Sequence, residues 1–292
     1  MVAYGSGTFG RLGVGLTGAA PSPTPRSVNM TFISYANPLS VRAIGGSGFT
    51  FFHVSDQSTA SNTNHLFACG SNNYIPSAVG DVYEPREVQV LKWNFTKIVA
   101  TYEGGLIWRA SGVQNATQLF QWGLSDSLGS GVTYPSATYI TTPVKVALPV
   151  DTCETLGQVK LTAVGNTGFV VCQNASQQLL YAFGKNQWGE AGLGHKNPLP
   201  TPTLVSTSFL GGRVIAKIAV TVFYASILTS DGSLYFSGSF SCTGGSQTFA
   251  SASSAVPQGE QIVDISAANY AFYILSSASK LYVSICNRLR RY

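Results

Sequence analysis

Charge is what this chain has least of. Only 10% of its 292 residues are Asp, Glu, Lys or Arg, against roughly 25% in an average soluble protein. Its polar surface must therefore come from Ser, Thr, Asn, Gln and Gly. No apolar run approaches the ~18 residues that a membrane-crossing helix needs, so no membrane span is expected. The opening stretch, MVAYGSGTFGRLG, has no apolar segment of the kind a secretory leader carries. Histidines number three, and neither HExxH nor CxxC occurs, so no metal centre and no cofactor is expected. The five cysteines, Cys69, Cys153, Cys172, Cys242 and Cys286, are odd in number and far apart. They read as isolated core thiols in a reducing compartment, and the expected address is cytoplasmic or nuclear. Acceptor triplets for N-glycosylation stand at Asn29, Asn94, Asn115 and Asn174. They are the one argument for a different address, and without an export signal they read as chance in a Ser/Thr-rich chain.

Apolar residues, by contrast, make up 45% of the chain, and 31 Gly and 13 Pro are spread along it. That supplies a large core and many turns. β-branched and aromatic residues abound and helix-period stripes are scarce, which points to an all-β fold.

The clearest local pattern is Leu180 to Val205, LYAFGKNQWGEAGLGHKNPLPTPTLV. A short apolar strand ends at Gly184, a Gly-rich loop follows, and a Pro introduces a second strand. Strands ending in Gly recur at Gly5, Gly70, Gly123, Gly184 and Gly238, spaced by 53 to 65 residues. A Pro-led strand recurs at Pro25, Pro85, Pro143 and Pro202, spaced by 58 to 60. Between them lies a pair of short apolar runs around a small polar break. The last pair turns at Ser230-Asp231-Gly232-Ser233, a strong hairpin signal. Each repeat of ~55 residues thus supplies four short strands. Such a sheet cannot bury both faces alone, and radial packing of several makes a β-propeller.

The expectation is therefore a single β-propeller domain over residues 1–292. Repeats start near 2, 66, 119, 180 and 234, with a partial sixth at 281. The propeller is five- or six-bladed or an incomplete ring, in which Leu281 to Ile285 completes a blade begun elsewhere. Residues 287–292, with Arg288, Arg290 and Arg291, read as a short, solvated basic tail; the competing reading is an anionic contact.

LYAFGKNQWGEAGLG, TPTLV and SDGSLY in that order resemble the repeat of the regulator of chromosome condensation family. Residues 4–15, YGSGTFGRLGVG, carry the same motif, and looser copies span the rest. The glycines of these two copies, Gly5, Gly10, Gly13 and Gly15, and Gly184, Gly189, Gly192 and Gly194, are expected to be structural. Copies two, three and five depart from the motif: GSNNYIPSAVG, GLSDSLGSG and GSFSCTGGS. The family's usual His in the polar break is missing, its place filled near Gly48, Gly104, Thr167, Val222 and Asn269. The resemblance implies a propeller that binds proteins as scaffold or adaptor. It also implies an alternative, nucleotide exchange on a Ran-like small GTPase. The basic N-terminal tail of a chromatin-docking member has no counterpart before Val2, so direct contact with nucleic acid or chromatin is not expected.

Catalytic groupings are hard to find. His53, Ser55 and Asp56 share one strand and alternate in direction, which argues against a triad. His53 reads as a half-buried strand residue, His65 and His195 as solvated loop residues. The Gly-rich loop lacks the GK[ST] and following helix of a phosphate cradle. No catalytic residue is assigned, although a hydrolase or lyase with a central propeller pocket remains the third reading. The candidate interaction residues are Lys185, Asn186, Gln187 and Trp188 in the loop, and Arg288, Arg290 and Arg291.

Overall fold

A computed structural model describes residues 2–5, 11–15, 22–28, 38–56, 63–76, 78, 80–89, 95–101, 103–110, 117–135, 137–149, 159–164, 167–173, 178–241, 244–252, 256–267, 271–285 and 288–291. The architecture is all-β, a five-blade propeller of four-stranded antiparallel sheets. Blade one holds β3 (Pro38–Gly45), β4 (Phe49–Asp56), β5 (Thr63–Gly70) and β6 (Val82–Glu87). Blade two holds β7 (Phe95–Ala100), β8 (Gly104–Ala110), β9 (Thr117–Leu124) and β10 (Tyr139–Lys145). Blade three holds β11 (Val159–Val164), β12 (Thr167–Gln173), β13 (Gln178–Gly184) and β14 (Leu199–Val205). Blade four holds β15 (Ile215–Val220), β16 (Tyr224–Thr229), β17 (Leu234–Ser241) and β18 (Gly244–Ser251). Blade five holds β19 (Ile262–Ala267), β20 (Ala271–Ser276), β21 (Leu281–Ile285) and β22 (Arg288–Arg291). Each blade pairs its strands in chain order, and β1 (Val2–Gly5) and β2 (Ser22–Ser27) form a two-stranded sheet.

The chain clusters into two compact units, one of residues 1–130 and 134–146, the other of 131–133 and 147–292. Within the first, the β1–β2 pair packs Ala3 and Val28 against Phe52, Val54 and Phe67 of blade one. Blade one in turn packs Phe49, Phe51 and Leu66 against Phe95, Ile98, Ile107 and Trp122 of blade two. Within the second, Phe169, Val171 and Leu180 of blade three meet Ile215, Ile218, Ala225 and Ile227 of blade four. Blade four then places Tyr224, Leu228, Leu234 and Phe236 against Ile262, Ile265, Phe272 and Ile274 of blade five. The alternation of each strand is thus used on both faces, as a stacked sheet requires.

Four of the glycine markers, Gly70, Gly123, Gly184 and Gly238, belong to the third strands of blades one to four, not to the first strands, while Gly5 ends β1. Each repeat as read from the sequence therefore runs from the second half of one sheet into the first half of the next. Leu281–Ile285 does not complete a distant blade. It pairs with Ala271–Leu275 on one side and with Arg288–Arg291 on the other. The expected basic tail is accordingly the outer strand β22 of blade five, because its backbone continues the ladder of β21.

Two irregularities recur blade after blade. The first strand of every blade has a register shift after its first paired residue: Pro38/Ser40, Phe95/Lys97, Val159/Leu161, Ile215/Lys217 and Ile262/Asp264. A bulge at one fixed place bends and twists the strand, so its fivefold recurrence is a feature of the design. The third strands of blades one to four carry a glycine with positive φ at or near their ends: Gly70 (128°), Gly123 (124°), Gly184 (106°) and Gly238 (104°). A Cβ there would sit 2.4 Å from Gly48 O at Gly70, 2.2 Å from Glu103 O at Gly123 and 2.5 Å from Phe223 O at Gly238. The marker glycines exist because the second strand's backbone passes too close for any side chain.

Candidate interaction edge

The loop from Lys185 to Pro198 joins β13 to β14, and the side chains of Asn186, Glu190 and Ala191 turn inward. Asn186 is fully buried and adopts φ 50°, a left-handed turn that Asn tolerates better than most residues. Its Oδ1 accepts the Ala191 N–H at 3.0 Å. Its Nδ2 donates to the carbonyls of His195 and Asn197, both at 3.0 Å. Its own N–H donates to Thr167 Oγ1 at 3.0 Å. The Thr167 hydroxyl in turn donates to Glu190 Oε1 at 2.7 Å, and Glu190 Oε2 accepts the Trp188 N–H at 2.9 Å. Thr167 stands in the polar break where the resembled family places His. Here it ties the start of the loop to its middle.

The glycines then lay the loop on blade four. Gly189, Gly192 and Gly194 have φ of 77°, 75° and 82°. Gly194 N–H donates to Gln247 O at 2.8 Å, and Ser237 Oγ donates to Gly189 O at 2.8 Å. A Cβ on Gly192 would lie 2.4 Å from the Phe249 ring, and one on Gly189 would lie 2.8 Å from Gln247. The Trp188 ring meets Phe223 edge-on at 5.2 Å. The first copy repeats the arrangement on blade one. Gly15 N–H donates to Tyr83 O at 3.1 Å, Thr50 Oγ1 donates to Arg11 O at 2.8 Å, and Gly13 (φ 65°) faces Cys69 and Pro85. In the diverged third copy Gly131 N–H still donates to Pro200 O at 2.8 Å. The shared element is a glycine N–H given to a carbonyl of an outer strand. Gly5 ends β1, and Gly10 lies outside the described residues.

Of the predicted loop residues, Asn186 is therefore committed inside the loop. Gln187 is exposed, while Lys185 and Trp188 are half-buried. Lys196 and Asn197, which the sequence did not single out, are exposed beside them. The side chains of Arg288, Arg290 and Arg291 lie outside the described residues, although their backbone forms β22.

Glu190 is the residue that sequence reading missed. It is fully buried, and burial raises its pKa, against the opposing pull of the Thr167 hydroxyl, the backbone N–H groups and Lys196. A folded-state value above the unfolded one means that the folded protein holds this proton more tightly. The protonated group's contribution is complete below the unfolded value near 4.5 and is lost as pH rises through the folded value. Glu190→Gln keeps an acceptor for Trp188 N–H and an amide for Thr167. The variant is expected to melt above the wild type at pH 7.5, with the gap closing by pH 4. A gap independent of pH in thermal melts would remove burial of the charge as its cause.

His53 Nε2 donates to Asn64 Oδ1 at 2.9 Å, since Asn64 Nδ2 is already donating to Phe95 O at 2.8 Å. Burial lowers the His53 pKa, with Arg42 adding to the effect and the Asn64 bond opposing it. Ser55 bonds Ser40 at 2.9 Å, and the side chain of Asp56 lies outside the described residues. His65 is not in a loop. It sits on β5, with Nδ1 3.0 Å from Glu87 Oε1. His195 Nδ1 accepts the Asn197 N–H at 3.2 Å. Burial pushes the free Cys69 thiol up to about 12, which leaves it unreactive. Cys172, expected as an isolated thiol, is disulfide-bonded. Among the described residues no group of three or more His, Cys, Asp or Glu is placed to hold a metal ion. Nor is any helix among them long and apolar enough to cross a membrane.

No family model and no curated protein matches the chain. Solved structures do match. Human WBSCR16 aligns with a TM-score of 0.60 and 13% identity, over 99% of this chain and 92% of its own. Prp20p of Saccharomyces cerevisiae, a protein described with its binding to Gsp1p and histones, aligns with a TM-score of 0.60 and 15% identity, over 97% of this chain and 80% of its own. At that identity the likeness concerns the backbone, and what it establishes is a shared β-propeller fold.

Proposed function

We propose that this chain is a non-catalytic protein-interaction propeller, a scaffold or adaptor of the regulator of chromosome condensation type, forming one domain over residues 1–292. One observation carries the reading. Asn186 and Glu190 of the best-formed loop, with Thr167 of β12, are spent on holding that loop to its own blade, and Ser237 ties its Gly189 carbonyl to the next. What remains outward is a rigid edge bearing Gln187, Lys196 and Asn197, with the half-buried Lys185 beside them. Loops fixed on a stiff frame suit recognition of another protein. The repeat motif and the shared fold with WBSCR16 and Prp20p support the family.

The alternative is nucleotide exchange on a Ran-like GTPase, supported by the binding of Prp20p to Gsp1p. Pull-downs with the full chain separate the readings. The double variant Lys185→Glu/Gln187→Arg is expected to lose partners that the wild type and Ala278→Arg, a change in the turn between β20 and β21, both retain. An identical set of partners for all three overturns the assignment of this edge. A tenfold faster release of nucleotide from a Ran-like GTPase on adding the chain would replace the scaffold reading by exchange.

A further inference from the structure

The strands of a blade alternate in direction, so its two edges differ. One edge carries the turns between first and second strands and the loops between third and fourth, including the Lys185 loop. The other carries the starts of first and third strands and the ends of second and fourth. Cys172 is the penultimate residue of β12 and lies at this second edge, where its cross-strand partners are Val159, the first residue of β11, and Leu179. It is fully buried and disulfide-bonded.

Its partner lies outside the described residues, but register and reach narrow the choice. Cys69 is a free thiol. Cys242 directly follows β17 and Cys286 directly follows β21, each in a third-to-fourth-strand connection and so at the first edge of its own blade. The seven residues of β12, at ~3.3 Å per residue, put the two edges about 20 Å apart. A disulfide requires Cα atoms within about 7 Å. Cys153 precedes Val159 by six residues, a tether of at most ~20 Å, and Val159 stands directly across the ladder from Cys172.

We infer that Cys172 is bonded to Cys153, and that this chain folds in an oxidising compartment where the acceptor triplets are modified. The two thiols give up two protons and two electrons to a protein disulfide of that compartment, which leaves as a dithiol. Such bonds persist in secretory and extracellular space and are rare in the cytosol. The triplets supply a second, independent observation. Asn29, Asn94, Asn115 and Asn174 lie outside the described residues. In chain order they follow β2, precede β7, and fall between β8 and β9 and between β12 and β13. The described strand ends that flank them all correspond to the Cys172 edge of their own sheets. Such an address departs from the cytoplasmic or nuclear one expected from the sequence.

The test uses the full chain secreted from a eukaryotic cell and digested without reduction. A peptide pair joining Cys153 to Cys172 is expected, lost on adding dithiothreitol, and a gel shift is expected on removing N-glycans enzymatically. Cys153→Ser should make Cys172 alkylatable in denaturant without reductant, whereas Cys242→Ser and Cys286→Ser should not. Mapping of the wild type decides even if Cys153→Ser fails to fold. Complete alkylation of Cys172 in the unreduced protein, or its linkage to Cys242 or Cys286, overturns the pairing. No shift on deglycosylation overturns the modification. Neither outcome depends on the interaction assigned to the Lys185 edge.

Discussion

Gly238→Ala should lower stability by about 4 kcal/mol, enough to move a domain of this size by on the order of 10 °C in a thermal melt. Two costs add. The residue has φ 104°, outside the regions open to an L side chain, and such strain costs about 1–3 kcal/mol. The added methyl would also lie 2.5 Å from Phe223 O, 2.8 Å from Tyr224 Cα and 3.1 Å from Glu190 Cα. All three are backbone atoms, so no rotamer change relieves the clash, and β16, β17 and the Lys185 loop must move apart. Gly259→Ala is the control. Its φ is 92° with nothing within 4 Å of the added atom, so it carries the strain alone and should cost about 1–2 kcal/mol. Equal losses for the two variants in denaturant titrations would mean that the close approach contributes nothing.

That glycine was legible as a marker in the sequence, as were the four strands per repeat. Period and turn chemistry are local, and Gly184, Pro202 and the Asp231-Gly232 turn announce them within a few residues. The phase of the blade was not local. Whether Gly184 ends a first or a third strand depends on Thr167 pairing with it across β12, and nothing in LYAFG records that. Burial of Glu190 was hidden for a similar reason. In the sequence it is an acidic residue in a polar loop. It becomes a core group only because Thr167 bonds it and Ser237, almost fifty residues further on, bonds the neighbouring Gly189 O. The place of Asn186 did leave a trace, an Asn two residues after a glycine in a tight loop, which tolerates a left-handed turn. The recurring bulge on first strands left none, because Leu39, Thr96, Lys160, Ala216 and Val263 share no chemistry. A bulge imposed by sheet twist needs no particular side chain.

Asn186→Ala is expected to be nearly as costly as the glycine change, about 3–4 kcal/mol, through a different route. The substitution removes the acceptor of the buried Ala191 N–H and the donor to the His195 and Asn197 carbonyls. Each buried backbone group left without a partner costs about 1–3 kcal/mol, less where the loop relaxes towards water. The left-handed backbone at φ 50° adds a further penalty of about 1 kcal/mol for alanine. Asn186→Gly separates the two terms, since glycine accepts the turn but makes none of the bonds. It should fall between the wild type and Asn186→Ala, the difference between the two variants measuring the backbone alone. Asn186→Asp should be worse than glycine, because a carboxylate would face the two carbonyls that the amide now serves. Hydrogen exchange at Ala191 reports the same event locally, its amide losing protection in Asn186→Ala and Asn186→Gly while those of β15 and β16 keep theirs. Loss of protection across β15 and β16 as well would mean that the loop holds the two blades together rather than only itself. The Lys185 edge would then be only as rigid as this one buried amide makes it.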